Sequence, residues 1–370
     1  MSKQFKMVAG SIVAARGFRA GGVFCDIKRL GTGKGSNKGN KRDLAIIVSD
    51  VPAAVAGMFT TNQVCAAPVK ICAERTPRGI AQAIVVNSGN ANACTGKQGM
   101  KDARDMAAFT ERALRLRAGL VLVGSTGRIG VPMPMDNVRA GIQKAIDGLG
   151  SSPAHAAQAC ESIMTSDTRP KEIAVEFRLG GRAVRMGGIC KGAGMIQPGM
   201  SATGSRPAAI PLHATMLCFI TTDAAIGAAA LRGALREAVA HSFNRITVDG
   251  DMSTNDTVLV LANGLAAHPR LAAGDSNRFQ AALNHVCLEL AKMIVRDGEG
   301  VSRFVTVRVS GATRFQDADA AARAVANSAL VKSRWYGGVT NWGRIMDALV
   351  YSNAKVVDDK VDFGYSAPGS

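Results

Sequence analysis

Short, continuous apolar runs set between small-residue-rich helical segments constrain this chain most. Leu44-Ala45-Ile46-Ile47-Val48 and Ala83-Ile84-Val85-Val86 lack the polar alternation of a half-wetted strand, so they read as strands buried on both faces. Val121-Leu122-Val123 leads into a Ser125-Thr126-Gly127 turn. Met100 to Arg117 carries apolar residues at helical spacing with Lys and Arg between them, and Asp136 to Leu149 and Ala154 to Met164 follow as further helices. Ile173 to Leu179, Gly180-Gly181, and Ala183 to Met186 form an alternating hairpin around a Gly-Gly turn. Downstream the pattern predicts a strand after Thr215, a helix over 224–240, a strand pair around Thr247 and over 258–261, a helix over 278–295, a strand over 304–309 and a helix over 318–330. Strands and helices mixed without a strict βαβ rhythm argue for a layered α/β architecture rather than a doubly wound sheet. At 370 residues the chain exceeds the size at which one core stops growing, so two lobes are expected.

Hydrophobic residues at 47% and charged residues at 20% are the balance of a globular chain rather than a disordered one. No apolar run approaches the ~20 residues of a membrane helix. The basic Met1–Lys6 stretch lacks a following apolar core, so no secretory signal is expected. The eight cysteines contain no Cys-x-x-Cys pair and read as buried, reduced hydrophobes, which points to a reducing cytoplasm. The net charge of +17 suits nucleic acid, anionic lipid or acidic substrates. Part of it lies in Gly31-Thr32-Gly33-Lys34-Gly35-Ser36 and on to Arg42. That stretch fails the phosphate-loop pattern because Gly35 follows Lys34, and it reads as a solvated hairpin loop. Aromatics at 5% are too few for stacking platforms on single strands, and no nucleic-acid partner is expected.

Two segments carry candidate chemistry. Lys191-Gly192-Ala193-Gly194-Met195-Ile196 stands 24 residues before Thr215 in His213-Ala214-Thr215-Met216-Leu217. A threonine hydroxyl needs a base within reach, and an α-amine of pKa ~8 supplies one if the preceding peptide bond is cut. Thr215 alone, in a β-prone stretch, would read as a strand residue. Asp249-Gly250-Asp251 with Ser253 and Asn255 imitates a calcium loop, but the glycine is misplaced and Val260 occupies the twelfth position, so no metal is expected. Asn87, Asn90 and Asn92 read as structural turn residues, and Cys218 as core rather than nucleophile.

Nine blocks in order resemble the ornithine acetyltransferase family, the self-cleaving acyl transferases of arginine biosynthesis. They begin with Phe59-Thr60-Thr61-Asn62 before Ala66-Ala67-Pro68-Val69, and Asn87-Ser88-Gly89-Asn90-Ala91-Asn92-Ala93-Cys94-Thr95-Gly96. Gly124-Ser125-Thr126-Gly127-Arg128-Ile129-Gly130 and Met164-Thr165-Ser166-Asp167-Thr168 come next. The lysine-glycine segment and Ala214-Thr215-Met216-Leu217 with Thr222-Asp223-Ala224 follow. Ile246 to Asp256, Arg296-Asp297-Gly298-Glu299-Gly300 and Asn341-Trp342-Gly343-Arg344-Ile345 complete the series.

The resemblance implies a layered α/β sandwich of the ornithine acetyltransferase and self-processing N-terminal-nucleophile aminopeptidase type. It implies self-cleavage between Ala214 and Thr215, giving fragments 1–214 and 215–370 that interleave and assemble as a dimer of heterodimers. Thr215 is then the nucleophile, Thr126 and Gly127 the oxyanion hole, and Lys191 the lysine beside the acyl group. Thr165 and Glu299 contact the acyl-amino-acid substrate, together with Lys191. No cofactor is implied. The implied reaction moves an acetyl group from an N-acyl amino acid such as N2-acetylornithine to glutamate through an acyl-threonine.

Two departures stand against the pattern. Residues 201–212 read as an insertion that makes Thr203 a rival nucleophile, and the family's C-terminal tail, whose Asn and Ser or Thr close the pocket, has no match here. These motivate an alternative, an amidase in which water takes the acyl group. A non-enzymatic basic binding protein is the third reading, motivated by charge alone.

Overall fold

The computed structural model describes residues 5–28, 41–204, 216–269 and 272–366. Both fragment termini at the expected cut, Ala214 and Thr215, lie outside the described residues, as do His213 and the basic stretch 29–40.

The apolar run at Leu44 does not stop at Val48 but continues to Thr60, and this long strand organises the molecule. In chain order the strands are β1 (Lys6–Met7), β2 (Phe18–Val23), β3 (Leu44–Thr60), β4 (Ile80–Asn90), β5 (Val121–Arg128), β6 (Lys171–Leu179), β7 (Arg182–Lys191), β8 (Met200–Ser201), β9 (Leu217–Thr222) and β10 (Thr257–Ala262). They join in one sheet of order β1-β6-β7-β9-β10-β3-β4-β5, with β2 and β8 also paired to β3. The first part of β3 pairs with β2 and β4, and its last part with β10. A register shift between Val48 and Ala53 separates the two parts, the kind of irregularity that bends a strand and re-aims its side chains.

The side chains record that change. Leu44, Ile46 and Val48 of β3 pack into one outer core with Val85 and Val123. Ala56 and Met58, further along the same strand, join a different outer core with Cys218, Ile220 and Val258. Ala45, Ile47, Val55 and Phe59 share a middle core with Ile84, Leu122, Phe219 and Leu259. Two leaves of one sheet therefore enclose a common layer, and Ala321, Val325, Val331, Ala348 and Leu349 form a small separate core.

The helices are α1 (Ala67–Arg75), α2 (Gly96–Ala113), α3 (Met135–Asp147), α4 (Pro153–Ile163), α5 (Ala228–Ala240), α6 (Ala273–Arg296), α7 (Phe315–Asn327), α8 (Ala329–Tyr336) and α9 (Trp342–Val350). Residues of α5 and α6 cover one leaf, and residues of α2 and α3 cover the other. The result is the layered α/β architecture that the sequence pattern implied, in the sandwich form that the resemblance implied.

Several expected elements differ. The Ser125–Gly127 turn is strand, because β4 and β5 run parallel and pair through Ser88–Thr126 and Gly89–Gly127. Helix α2 starts at Gly96 and ends at Ala113, since Arg115 takes φ +55°. No strand forms around Thr247 or over 304–309, where Phe304 and Val305 stand about 40% exposed without a partner strand among the described residues. The helix expected over 318–330 breaks at Ser328, whose hydroxyl accepts the Val331 N–H and caps α8. The 173–186 hairpin forms as expected, with Gly180 and Gly181 at φ +51° and +77°. Positive φ at both central residues is the demand of a tight hairpin turn.

Candidate active site

Five residues singled out from the sequence meet in one cleft. Thr126, Gly127, Thr165, Lys191 and Glu299 line a space of about 390 Å³, together with Lys28, Gly89, Arg128, Ser166, Gly194 and Met195. Chain order does not bring them together. Thr126 and Gly127 immediately precede Arg128, the last residue of β5, Lys191 ends β7, and Thr165 follows α4, while Glu299 lies three residues past α6. A second space of about 40 Å³ lies behind Thr126 and Gly127, bounded by Ala91, Ile129, Met195 and Ser253–Asn255.

Gly127 makes the strand end possible. Its φ is +131°, and a Cβ there would meet the Gly89 carbonyl carbon at 2.4 Å and the Asn90 nitrogen at 2.6 Å. The neighbouring asparagines hold this crossing. Ser125 donates to Asn87 Oδ1 at 2.7 Å, and Asn90 Nδ2 donates to the Val131 and Pro132 carbonyls. Asn92 sits at φ +48° and accepts and donates within the same turn. All three are structural, as the sequence suggested.

Lys191 is buried, and its ammonium donates to Thr126 Oγ1 at 3.3 Å. The segment after it is pinned by carboxylates. Asp167 Oδ1 accepts Gly192 N–H at 2.7 Å, and Asp249 accepts the Met195 and Ile196 amides at 2.6 and 2.8 Å. Asp249 thus serves as a backbone anchor. Burial pushes the Asp167 carboxyl up, but the charges of Lys191 and Lys171 and the Gly192 amide outweigh it and hold the group at about 2. Glu299 is exposed at the cleft. Gly194 permits its approach, since a Cβ there would lie 2.6 Å from Glu299 Cδ.

Thr215 lies outside the described residues, but its neighbour Met216 is fixed. The Met216 N–H donates at 2.5 Å to Asp256, a fully buried carboxyl that feels the charge of Lys191. Thr203, the rival, is exposed just past β8 and is not among the residues lining the cleft. Cys218 is fully buried and its thiol is pushed well up by burial, which fits core rather than nucleophile. Among the described residues no group of His, Cys, Asp or Glu could hold a metal.

Sequence reasoning missed Asp249, Asp256, Lys171 and Asp297 as parts of this site. All but Lys171 lie inside family-like blocks, yet their roles depend on which amides and ammonium groups the fold brings to them. Lys28 and Arg128, which add positive charge to the cleft wall, were also missed.

Comparison with known proteins is consistent along the chain. The model of the ArgJ family matches residues 21–367. The arginine biosynthesis bifunctional protein ArgJ of Symbiobacterium thermophilum is 51% identical over 357 residues, covering 96% of this chain and 83% of that protein. The glutamate N-acetyltransferase of Methanocaldococcus jannaschii is 46% identical over 360 residues, covering 96% of this chain and 82% of that protein. Among solved structures, a chain of the arginine biosynthesis bifunctional protein ArgJ of Bacillus halodurans is 36% identical, with a TM-score of 0.49. It covers 54% of this chain and 100% of that chain.

Proposed function

This chain belongs to the ArgJ family, and from that premise we propose that it works by self-cleavage before Thr215 and acyl transfer through the freed threonine. It is an N-acetyltransferase of arginine biosynthesis. The donor is an N-acyl amino acid such as N2-acetylornithine and the acceptor is glutamate.

The Thr215 α-amine takes the hydroxyl proton as the oxygen attacks the acetyl carbonyl. Gly127 N–H and the Thr126 hydroxyl hold the oxyanion, an arrangement typically worth ~3 kcal/mol per donor. The C–N bond breaks, the departing amine takes the proton from the Thr215 ammonium, and an acetyl-threonine ester remains. The glutamate amine then attacks this ester, its proton returns through the same α-amine to the threonine oxygen, and N-acetylglutamate leaves. Lys191 and Thr165 position the acyl-amino acid, and Glu299 meets a cationic amino group at the cleft edge.

The observation that carries this reading is the convergence of Thr126, Gly127, Thr165, Lys191 and Glu299 on one cleft. Thr215 directly precedes Met216, which is hydrogen-bonded to a carboxyl within the field of Lys191. The sheet order supports cohesion of the two fragments. Strands β9 and β10 of the second fragment lie between β7 and β3 of the first, so a cut leaves the sheet intact. We place the enzyme in the cytoplasm as a dimer of such heterodimers.

Intact mass under denaturing conditions tests the reading, alongside a transfer assay with N2-acetylornithine and glutamate. Two species broken at Ala214–Thr215, and loss of both cleavage and transfer in Thr215→Ala, are expected. A fully active Thr215→Ala variant would refute the mechanism, and hydrolysis outrunning transfer at saturating glutamate would make the enzyme an amidase.

A further inference from the structure

A fully buried lysine lies beneath the cleft and bridges two carboxylates. The Lys171 ammonium donates to Asp167 Oδ1 at 2.6 Å and to Asp297 Oδ2, and all three side chains are at most 2% exposed. Each carboxylate also gathers backbone. Asp167 accepts the Gly192 amide on Oδ1 and the Thr165 amide on Oδ2, at 2.7 and 2.9 Å. Asp297 accepts the Thr168 amide at 3.0 Å and the Thr168 hydroxyl. Glu299, two residues on, donates its N–H to the Ala193 carbonyl at 2.8 Å.

Burying three charges is costly unless each is paired and its remaining lone pairs are used. Here every hydrogen bond outside the ion pairs ends on a segment that bears a cleft residue or flanks one. Thr165 itself is held by Asp167 Oδ2. Lys191 is the residue before Gly192. Glu299 follows Asp297 and is tied back to Ala193. A network serving stability alone has no need of that distribution.

We propose that Asp167 is a positioning residue for the transfer reaction, fixing Thr165 and the Lys191–Gly192 segment in register, with Lys171 extending the same control through Asp297 to the Glu299 loop. The proposal rests on the acyl-transfer reading of the cleft.

Asp167→Asn is the discriminating variant. It leaves Lys171 paired with Asp297, which also has Arg169 at 3.7 Å, while the buried Lys191 loses a nearby negative charge. The Asn oxygen stays with its donors Lys171 and Gly192, and its NH2 then faces the Thr165 amide, donor against donor. Glu111→Gln is the matched control. Glu111 is also a buried carboxylate, accepting Arg75 at 2.7 Å and the Gly119 and Val121 amides, but neither it nor Arg75 lines the cleft.

Both variants are assayed for thermal midpoint, kcat, KM for N2-acetylornithine, and amide hydrogen exchange. In Asp167→Asn, kcat/KM is expected to fall at least tenfold, mainly through KM, and the Thr165 amide to exchange faster while Gly192 stays protected. Glu111→Gln is expected to lose a similar midpoint and keep kcat/KM within twofold. Unchanged exchange at Thr165, or a kcat/KM loss in Asp167→Asn no larger than in the control, would overturn the proposal. Wild-type protein that transfers no acetyl group would sink the functional reading instead, and the exchange at Thr165 would then decide the positioning claim alone.

Discussion

The Met216 N–H donates to Asp256 Oδ1 at 2.5 Å, so the residue after Thr215 is tied to a fully buried carboxyl. Among the described residues, the second oxygen of that carboxyl has no hydrogen-bond partner. Burial pushes its pKa well above the ordinary aspartate range, opposed in part by the Met216 amide and by Lys191. A carboxyl raised in this way supports the fold below its unfolded pKa of ~3.9 and loses that contribution as pH rises toward its folded value.

Asp256→Asn keeps an acceptor for Met216 and removes the titration. Its urea midpoint is expected to match wild type near pH ~4 and to exceed it at pH ~7. Asp256→Ala instead leaves the Met216 amide buried and unpaired, at a cost of ~1–3 kcal/mol. Identical midpoints for the Asn and Asp proteins at both pH values would contradict this account.

Gly127→Ala is expected to damage fold and activity together. The added Cβ would meet backbone atoms of Gly89 and Asn90 at 2.4 and 2.6 Å, and φ +131° is strained for any side chain. Strain and overpacking of this kind cost ~1–3 kcal/mol. The same shift moves the Gly127 N–H away from the oxyanion position. A thermal midpoint and a kcat/KM both within error of wild type would show that the crossing of β4 and β5 is looser than these distances imply.

Much of this arrangement was legible before any coordinates. Leu44–Val48 and Ala83–Val86 read as doubly buried strands because their apolar character is continuous, and both are. The far half of β3 was not legible, because Asp50-Val51-Pro52 interrupts the pattern with turn-like residues that the fold uses as an irregular bend within the strand. The reach of strand through Ser125–Arg128 was hidden for a related reason. Ser, Thr and Gly signal a turn locally, and only pairing with Ser88 and Gly89 makes them strand.

For the site, the family-like blocks pointed to Thr126, Gly127, Thr165, Lys191 and Glu299, and the fold gathers all five. Lys171 was invisible as a functional residue because it looks like an ordinary strand-opening lysine. Its meaning comes from Asp297, 126 residues away. Asp249 was legible only as a failed calcium loop, since nothing in its own neighbourhood predicts the amides of Met195 and Ile196.

Lys171→Met should be strongly destabilising at neutral pH and much less so in acid. Asp167 is held at about 2 by Lys191 and Lys171 against the effect of burial, and Asp297 is also lowered against burial, by Lys171 and Thr168. Carboxyls depressed in the folded state stabilise it above their unfolded pKa and lose that contribution as pH falls. Removing the bridging ammonium breaks both buried pairs. It leaves Asp167 with the charge of Lys191 and Asp297 with the exposed Arg169 at 3.7 Å, a change that typically costs ~3–5 kcal/mol. The gap between variant and wild type in urea unfolding is therefore expected to shrink as pH drops from ~4 toward ~2, where protonation relieves the charge. A gap constant with pH would mean that the loss is one of packing alone.

The Thr126 hydroxyl offers the sharpest separation of chemistry from binding. Its oxygen accepts from the Lys191 ammonium at 3.3 Å, so its own proton remains available to donate, and the adjacent positive charge makes it a better donor. Thr126→Val keeps the volume and branching of the side chain while deleting that donor. Deleting a donor used only in the transition state lowers kcat without raising KM. Loss of one such donor is expected to reduce kcat by ~10²–10³, with KM for N2-acetylornithine nearly unchanged. Thr126→Ser should restore most of the rate because it returns the hydroxyl. Steady-state kinetics on fully self-cleaved protein distinguish the alternatives, since a variant blocked in cleavage would appear inactive for another reason. If Thr126→Val raises KM tenfold at constant kcat, the hydroxyl binds ground-state substrate, and the oxyanion is left to the Gly127 amide.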